Sequence, residues 1–164
     1  MDRRTPATAP EAADADCWFR DAYPRLHRFA AVVAPPTIDP DDLVQDAMGR
    51  LLGRRNPEAI DDRTAYVCRT MANLASDRRR RWKIGRGALA KLGPQPTHAE
   101  STYPSDLGVL SELSARERGA VYLHDVEGFP FDEVAQLLGC STVAARQAAV
   151  RGRNRLHDVA EVMS

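Results

Sequence analysis

The sequence predicts an all-α protein made of two small helical domains. Three observations carry that reading. Alanine, leucine and arginine dominate, while aromatic residues make up 6% and β-branched residues are few, a balance that favours helix over sheet. Apolar residues recur at three- and four-residue spacing between recognisable helix caps. One stretch, Gly85 to Pro104, breaks that pattern with Gly, Pro, His, Ser and Thr and reads as a flexible linker. The 164 residues suffice for one medium domain or two small ones.

Met1 to Ala15 is rich in Ala, Pro and acid and lacks periodicity, so it reads as a disordered tail. From Asp16 the pattern turns helical, with Phe19, Tyr23, Leu26, Ala30 and Val33 on one face. Pro24 predicts a kink or a restart there, and Pro35 and Pro36 predict an end. Asp39 opens the second helix, with Pro40 at its first position and Asp41 and Asp42 in a first turn where acids favour the helix dipole. Val44, Ala47, Met48 and Leu51 form its apolar stripe. Gly49 costs about 1 kcal/mol against Ala in a helix interior and marks close packing or a bend. Asp61 or Asp62 caps a third helix through Ala65, Tyr66, Arg69, Asn73, Leu74 and Asp77 into the block Arg78-Arg79-Arg80-Arg81-Trp82-Lys83.

After the linker, a short helix spans Leu107 to Leu113. Ser114 and Glu117 then form a capping box for a helix running through Val121, Tyr122 and Val126 to Gly128. Phe131, Val134, Ala135 and Leu138 make one apolar face. Gly139 stands where a left-handed residue is needed, and Ser141 can cap the helix that follows. That last helix carries Arg146, Arg151, Arg153 and Arg155. A short helix, a Gly-containing turn and a basic second helix form a helix-turn-helix, the geometry that major-groove docking requires.

The formal net charge is zero, whereas a protein that holds DNA alone usually has a strong basic excess. The positive charge is local, concentrated between Asp61 and Lys91, and the balance reverses between Glu112 and Glu133. Segregated charge predicts several partner surfaces. Four consecutive arginines repel one another around a helix, and an anionic partner relieves that repulsion. Tyr66 and Trp82 offer flat faces for unstacked bases. No apolar run reaches membrane-spanning length and no signal-peptide core opens the chain, so a cytoplasmic protein without membrane insertion is expected. Cys17, Cys68 and Cys140 form no CxxC pair and read as reduced packing residues. Asp39, Asp41 and Asp42 are ordinary helix-start acids rather than a metal-hydrolase cluster. No nucleophile–base pair or phosphate loop accompanies them, so no enzyme, cofactor or metal is expected.

Taken in order, YPRLHRFA (Tyr23 to Ala30), DPDDLVQDAMGRLL (Asp39 to Leu52), AYVCRTMANLASDRRRR (Ala65 to Arg81) and LSELSARERGAVYLHDVEGFPFDEVAQLLGCS (Leu110 to Ser141) resemble the extracytoplasmic-function group of sigma-70 transcription initiation factors. The resemblance covers roughly Asp16 to Ala160. It implies a tail over 1–15, a region 2-like domain over 16–84, a linker over 85–106 and a region 4-like domain over 107–164. It implies that the protein binds core RNA polymerase, through its β′ and β subunits, and directs it to promoter DNA. An anti-sigma factor is a further partner the family implies.

By the same resemblance, Asp42, Leu43, Gln45 and Asp46 match the surface that grips polymerase. Tyr66, Asn73, Arg78, Arg79, Arg80, Arg81 and Trp82 lie where the family contacts the −10 element. Thr142, Arg146, Gln147 and Arg151 lie where it reads the −35 major groove. The chain also departs from the family. Ala144-Ala145-Arg146-Gln147-Ala148 replaces a Thr-Val-Lys-Ser-Arg-like run, and Pro130 replaces a Ser cap. Ala149 replaces a larger apolar residue, which predicts looser packing of the recognition helix. A stand-alone helix-turn-helix regulator derived from the same fold is the alternative that these departures leave open.

Overall fold

The computed structural model describes residues 9–35, 37–90, 110 and 112–162. They form six α-helices and no strand among the described residues: α1 (Ala9–Val33), α2 (Pro40–Leu52), α3 (Arg63–Ala90), α4 (Ala115–Val121), α5 (Phe131–Leu138) and α6 (Thr142–Val162). A 3-10 turn (Pro57–Ala59) precedes α3, and a π-type turn (Tyr122–Val126) extends α4. The sequence-predicted helices other than the short one over 107–113 are present, and their caps follow the local chemistry. Asp39 accepts from the backbone N–H of Asp41, with Pro40 at the first helical position. Asp62, not Asp61, caps α3 by accepting from Ala65 N–H. Ser114 and Glu117 exchange both hydrogen bonds of the capping box. Ser141 accepts from Ala144 N–H at the start of α6. Gly139 adopts φ 62° and ψ 46°, a conformation that costs a side-chain-bearing residue about 1 kcal/mol or more.

Four expectations change. Helix α1 begins at Ala9, inside the stretch predicted to be a disordered tail, and runs through Pro24 without a restart. On the inward face of its later turns Leu26, Phe29, Ala30 and Val33 are buried, and packing on that face holds the helix together where one backbone bond is missing. Helix α3 continues to Ala90, past the expected domain end at residue 84. Residues 91–106 of the predicted linker lie outside the described residues, as do 1–8 of the tail and 107–109 of the short helix. Gly49 has nothing within 4 Å of where a Cβ would lie, so it marks no close packing.

Finally, the two modules are not apart. One hydrophobic core takes Leu26, Phe29 and Val33 from α1, Leu43, Val44 and Leu51 from α2, Val67 and Met71 from α3, and Val134 and Leu138 from α5. A Cβ on Gly119 of α4 would sit 3.4 Å from both Phe29 and Val33. Arg118, 3% exposed, also joins the modules. Its Nε donates to the Val32 carbonyl at 2.7 Å, and Nη2 donates to the carbonyls of Val33 and Ala34. Its Nη1 donates to Leu110 and Leu113 carbonyls within the second module, at 3.0 and 2.7 Å. The C-terminal carbonyls of α1 carry the negative end of its dipole and are met by a full positive charge.

Because Phe29 is 1% exposed in this shared core, Phe29→Ala is expected to cost about 3–5 kcal/mol. Urea unfolding should then show both modules melting in a single, earlier transition. Gly49→Ala, on an open helix surface, should instead stabilise by roughly 0.5–1 kcal/mol in the same measurement.

Candidate nucleic-acid and polymerase interface

The outward side of α2 is acidic and polar over an apolar base. Asp42, Gln45 and Asp46 are exposed, while Leu43 and Val44 lie beneath them at 0% and 1% exposure. Leu43 was expected on the partner-gripping surface; the helix turns it into the core, where it supports that surface without forming part of it. With Thr37, Ile38 and Arg78, the three polar residues line a groove of about 330 Å³. Asp46 pairs with Arg78, so the first arginine of the basic block closes one wall of that groove.

The rest of the block fans around α3. Arg80 bridges to Asp77 at 3.2 Å, and Arg81 is exposed. Arg79 turns toward the second module and donates to the carbonyls of Leu113 and Glu112. Asn73 is exposed one face away. Tyr66 is half-buried against the core, with the guanidiniums of Arg54 and Arg69 5.3 and 5.9 Å from its ring centre. Only part of that ring is open to a base. Trp82 lies on α3, and its side chain is outside the described residues. The residues expected to meet single-stranded DNA therefore share one helix, but Arg78 and Arg79 are engaged within the protein.

Helix α6 presents a different surface. Ala145, Ala148 and Ala149 are each fully buried, and a Cβ on Gly152 would come within 2.7 Å of Val121 Cγ2. Small residues bring α6 close to α4. The expectation of looser packing from Ala149 is thus reversed. The outward stripe holds Val143, Gln147, Val150 and Asn154 at positions i, i+4, i+7 and i+11, with Arg146 and Arg151 on its flanks. Thr142 is half-buried at the first turn. The Arg146 guanidinium stands 5.7 Å from the Phe131 ring centre, and Phe131 stacks on His124 at 3.8 Å between centres. The His124 ring is held by a 2.8 Å hydrogen bond between Nδ1 and the Phe129 carbonyl. Arg146 is therefore aimed by a small aromatic stack.

Arg151 and Arg155 converge on Glu117, through Nε to Oε1 at 3.2 Å and Nη1 to Oε2 at 2.7 Å. Arg153 pairs with Asp125 at 3.1 Å. The Glu117 side chain is 6% exposed, whereas its two arginines are half-exposed. Burial on its own would raise the Glu117 carboxyl. Hydrogen bonds from the Ser114 backbone and hydroxyl, with the charges of Arg155 and Arg151, outweigh it and hold the carboxyl below the usual value. One buried carboxylate thereby caps α4 and orients two exposed guanidiniums, which suits phosphate contact.

Sequence reasoning missed Arg69, Phe131, Glu117 as an anchor, and the exposed pair Val143 and Val150. The valines share a helical face with Gln147, a signal readable from spacing. The other contacts join distant parts of the chain and leave no local trace. Cys68 is buried, which pushes its thiol up to about 12, while Cys17 is exposed, so the cysteines do not all serve packing. No helix among the described residues is long and apolar enough to cross a membrane.

Comparison with known proteins places these helices. Residues 18–83 match the family model of sigma-70 region 2, and residues 107–156 match that of sigma-70 region 4. The RNA polymerase sigma-E factor of Streptomyces coelicolor is 27% identical over 155 residues, covering 90% of this chain and 86% of that protein. The ECF RNA polymerase sigma factor SigM of Mycobacterium tuberculosis is 29% identical over 149 residues, covering 86% and 74%. The probable ECF RNA polymerase sigma factor SigI of the same species is 27% identical over 132 residues, covering 72% of this chain but 46% of its own length. The chain thus spans about half the length of that relative. Among solved structures, the sigma factor RpoE of Bartonella quintana, crystallised with the anti-sigma factor NepR, aligns with TM-score 0.65 and 23% identity. That alignment covers 91% of this chain and 98% of RpoE and shows a shared fold.

The depressed Glu117 carboxyl makes a pH prediction. A carboxyl whose folded value lies below its unfolded value adds stability above the ordinary value near 4.5, and that stability is lost as pH falls through the lowered folded value. Glu117→Gln should flatten the fall in unfolding free energy across that acid window, measured by urea titration at successive pH values. An unchanged slope would mean that Glu117 is not held ionised by its partners.

Proposed function

We propose that this chain, which belongs to the extracytoplasmic-function group of the sigma-70 family, binds core RNA polymerase and directs it to promoters. The observation that carries this reading is the ordered placement of the two family regions. Region 2 falls on α2 and the basic helix α3, and region 4 on the helix-turn-helix of α5 and α6. In this reading Asp42, Gln45 and Asp46 engage basic side chains of the polymerase β′ subunit, with specificity supplied by charge complementarity across the groove. Region 4 is held by the β subunit.

Asn73 reads a base edge of the separated non-template strand at the −10 element, while Arg80 and Arg81 hold phosphates. Tyr66 and Trp82 supply stacking faces. Melting costs a few kcal/mol, offset by stacking and pocket contacts to the captured bases. At the −35 element Gln147 reaches base edges from the centre of the α6 stripe. Arg146 and Arg151 flank it against the backbone, and Thr142 contributes at the first turn. The zero net charge fits a subunit whose DNA affinity is largely supplied by its polymerase partner. The chain acts as a non-enzymatic specificity subunit. An anti-sigma factor, the class of partner seen with RpoE, would block polymerase binding by covering the α2 groove.

The roles separate in mutants. Asp42→Ala combined with Gln45→Ala removes exposed polar atoms from α2 without touching its core, and should abolish co-purification with core polymerase while the chain stays folded, with stability lowered by no more than about 1 kcal/mol for the lost helix-dipole contact. Arg146→Glu should retain polymerase binding but lower run-off transcription from −35-dependent promoters by about tenfold or more, the order of one lost phosphate or base contact of 1–3 kcal/mol. Tight, specific duplex binding by the chain without polymerase would instead mark a stand-alone regulator.

A further inference from the structure

We propose that Val143 and Val150 read thymine. Their methyl groups pack against thymine C5-methyl groups on either side of the base pair that Gln147 contacts, so this chain selects a −35 element built on A·T pairs. The inference rests on the reading of α6 as the −35 helix and adds which bases that helix selects.

The first observation is placement. Val143 and Val150 are 64% and 51% exposed, so neither serves the core. They lie on the outward face of α6 with exposed Gln147 between them, while Ala145, Ala148 and Ala149 close the inward face. The seven residues from Val143 to Val150 span about 10.5 Å of helix, the rise of about three base-pair steps. A major groove admits an α-helix, and one stripe of this length addresses a short run of consecutive pairs.

The surroundings decide the occupant. Exposed Arg146 and Arg151 flank the stripe. Guanidiniums beside two small apolar side chains fit a groove walled by phosphates and floored by base edges. An apolar protein surface covering both valines would also cover the Gln147 amide and leave it without hydrogen bonds.

The chemistry of the side chain decides the base. In the major groove, the thymine C5-methyl is the apolar feature of a base edge. Valine carries methyl groups and neither donor nor acceptor. Over a cytosine amino group or a guanine oxygen it would displace water and return no hydrogen bond. Over thymine it buries methyl against methyl. Branching at Cβ leaves valine one strongly preferred χ1 rotamer in a helix, so both pairs of methyl groups are presented in fixed positions. Between them, the Gln147 amide matches the N7 acceptor and N6 donor of adenine. The three side chains together describe one A·T-rich block.

The test uses the full chain assembled with core polymerase. Duplexes randomised over the −35 and −10 blocks are selected for binding to that complex. The best duplex is then remade with uracil in place of each −35 thymine in turn, which deletes the C5-methyl alone. The selected −35 block should carry thymines, on either strand, flanking an adenine. Two of the uracil replacements should each weaken binding about fourfold, the effect of one buried methyl-sized group. Val143→Ala should lose thymine-over-uracil discrimination at one of these positions and Val150→Ala at the other, while Val150→Ile retains it. Binding of polymerase without DNA should be unchanged in all three variants.

A selected −35 block without thymines beside the adenine would overturn the proposal, as would the same thymine-to-uracil ratio in the wild type and both alanine variants. Weaker polymerase binding by either alanine variant in the absence of DNA would also overturn it, by placing the valines against protein. Failure of the underlying −35 reading has a different signature: the −10 block is enriched while the −35 block stays random, and the proposal falls with it.

Discussion

A guanidinium taken out of water must find acceptors for most of its five N–H groups. Arg118 finds them on two sides: the last carbonyls of α1 and the carbonyls of Leu110 and Leu113. Those carbonyls come from the end of α1, where the last backbone acceptors have no intrahelical partner, and from the turn before α4. One side chain therefore ties the carbonyls that end α1 to the turn before α4, where Leu110 also accepts from the Leu113 N–H and Leu113 from Arg79. Leu26, Phe29 and Val33 pack on the face beside it. The apolar contacts supply most of the attraction, and the buried charge fixes where the second module sits.

Glu117, one residue earlier, points the other way along α4 and holds α6 through Arg151 and Arg155. Adjacent residues of opposite charge thus organise opposite sides of one short helix. Arg118 connects α4 to the first module, and Glu117 connects it to the recognition helix. The seven residues of α4 are too few for a stable isolated helix. They are stabilised by the capping box at one end, the π-type turn at the other and these two polar anchors in between.

The elements were legible wherever local chemistry decides them. Asp39–Pro40, Asp62, Ser114–Glu117 and Gly139–Ser141 are signals within four residues of their effect, and each cap forms as read. The signals that failed were those overridden from a distance. Pro24 offers a restart by its missing N–H, yet the buried face of α1 carries the helix through it without one. Gly85 argues for a linker, yet α3 runs past it. The candidate site divides along the same line. Exposed Asp42, Gln45, Asp46, Arg146 and Gln147 follow from helical phase. The burial of Leu43 and the engagement of Arg79 depend on partners in other elements, so the sequence pattern could not disclose them.

The seam between α4 and α6 has a consequence for how this protein changes over generations. Ala145, Ala148, Ala149 and Gly152 meet α4 with little more than backbone and methyl groups. Few side chains on the inner face of α6 have shapes that the outer face must respect. A core built on large interlocking residues resists change because each replacement disturbs its neighbours. Here the outward residues Val143, Gln147 and Val150 can be exchanged while the inner face stays fixed. The outer face of α6 is in that sense a replaceable nib on a constant holder, and its surface chemistry can change by a few substitutions with stability left almost untouched.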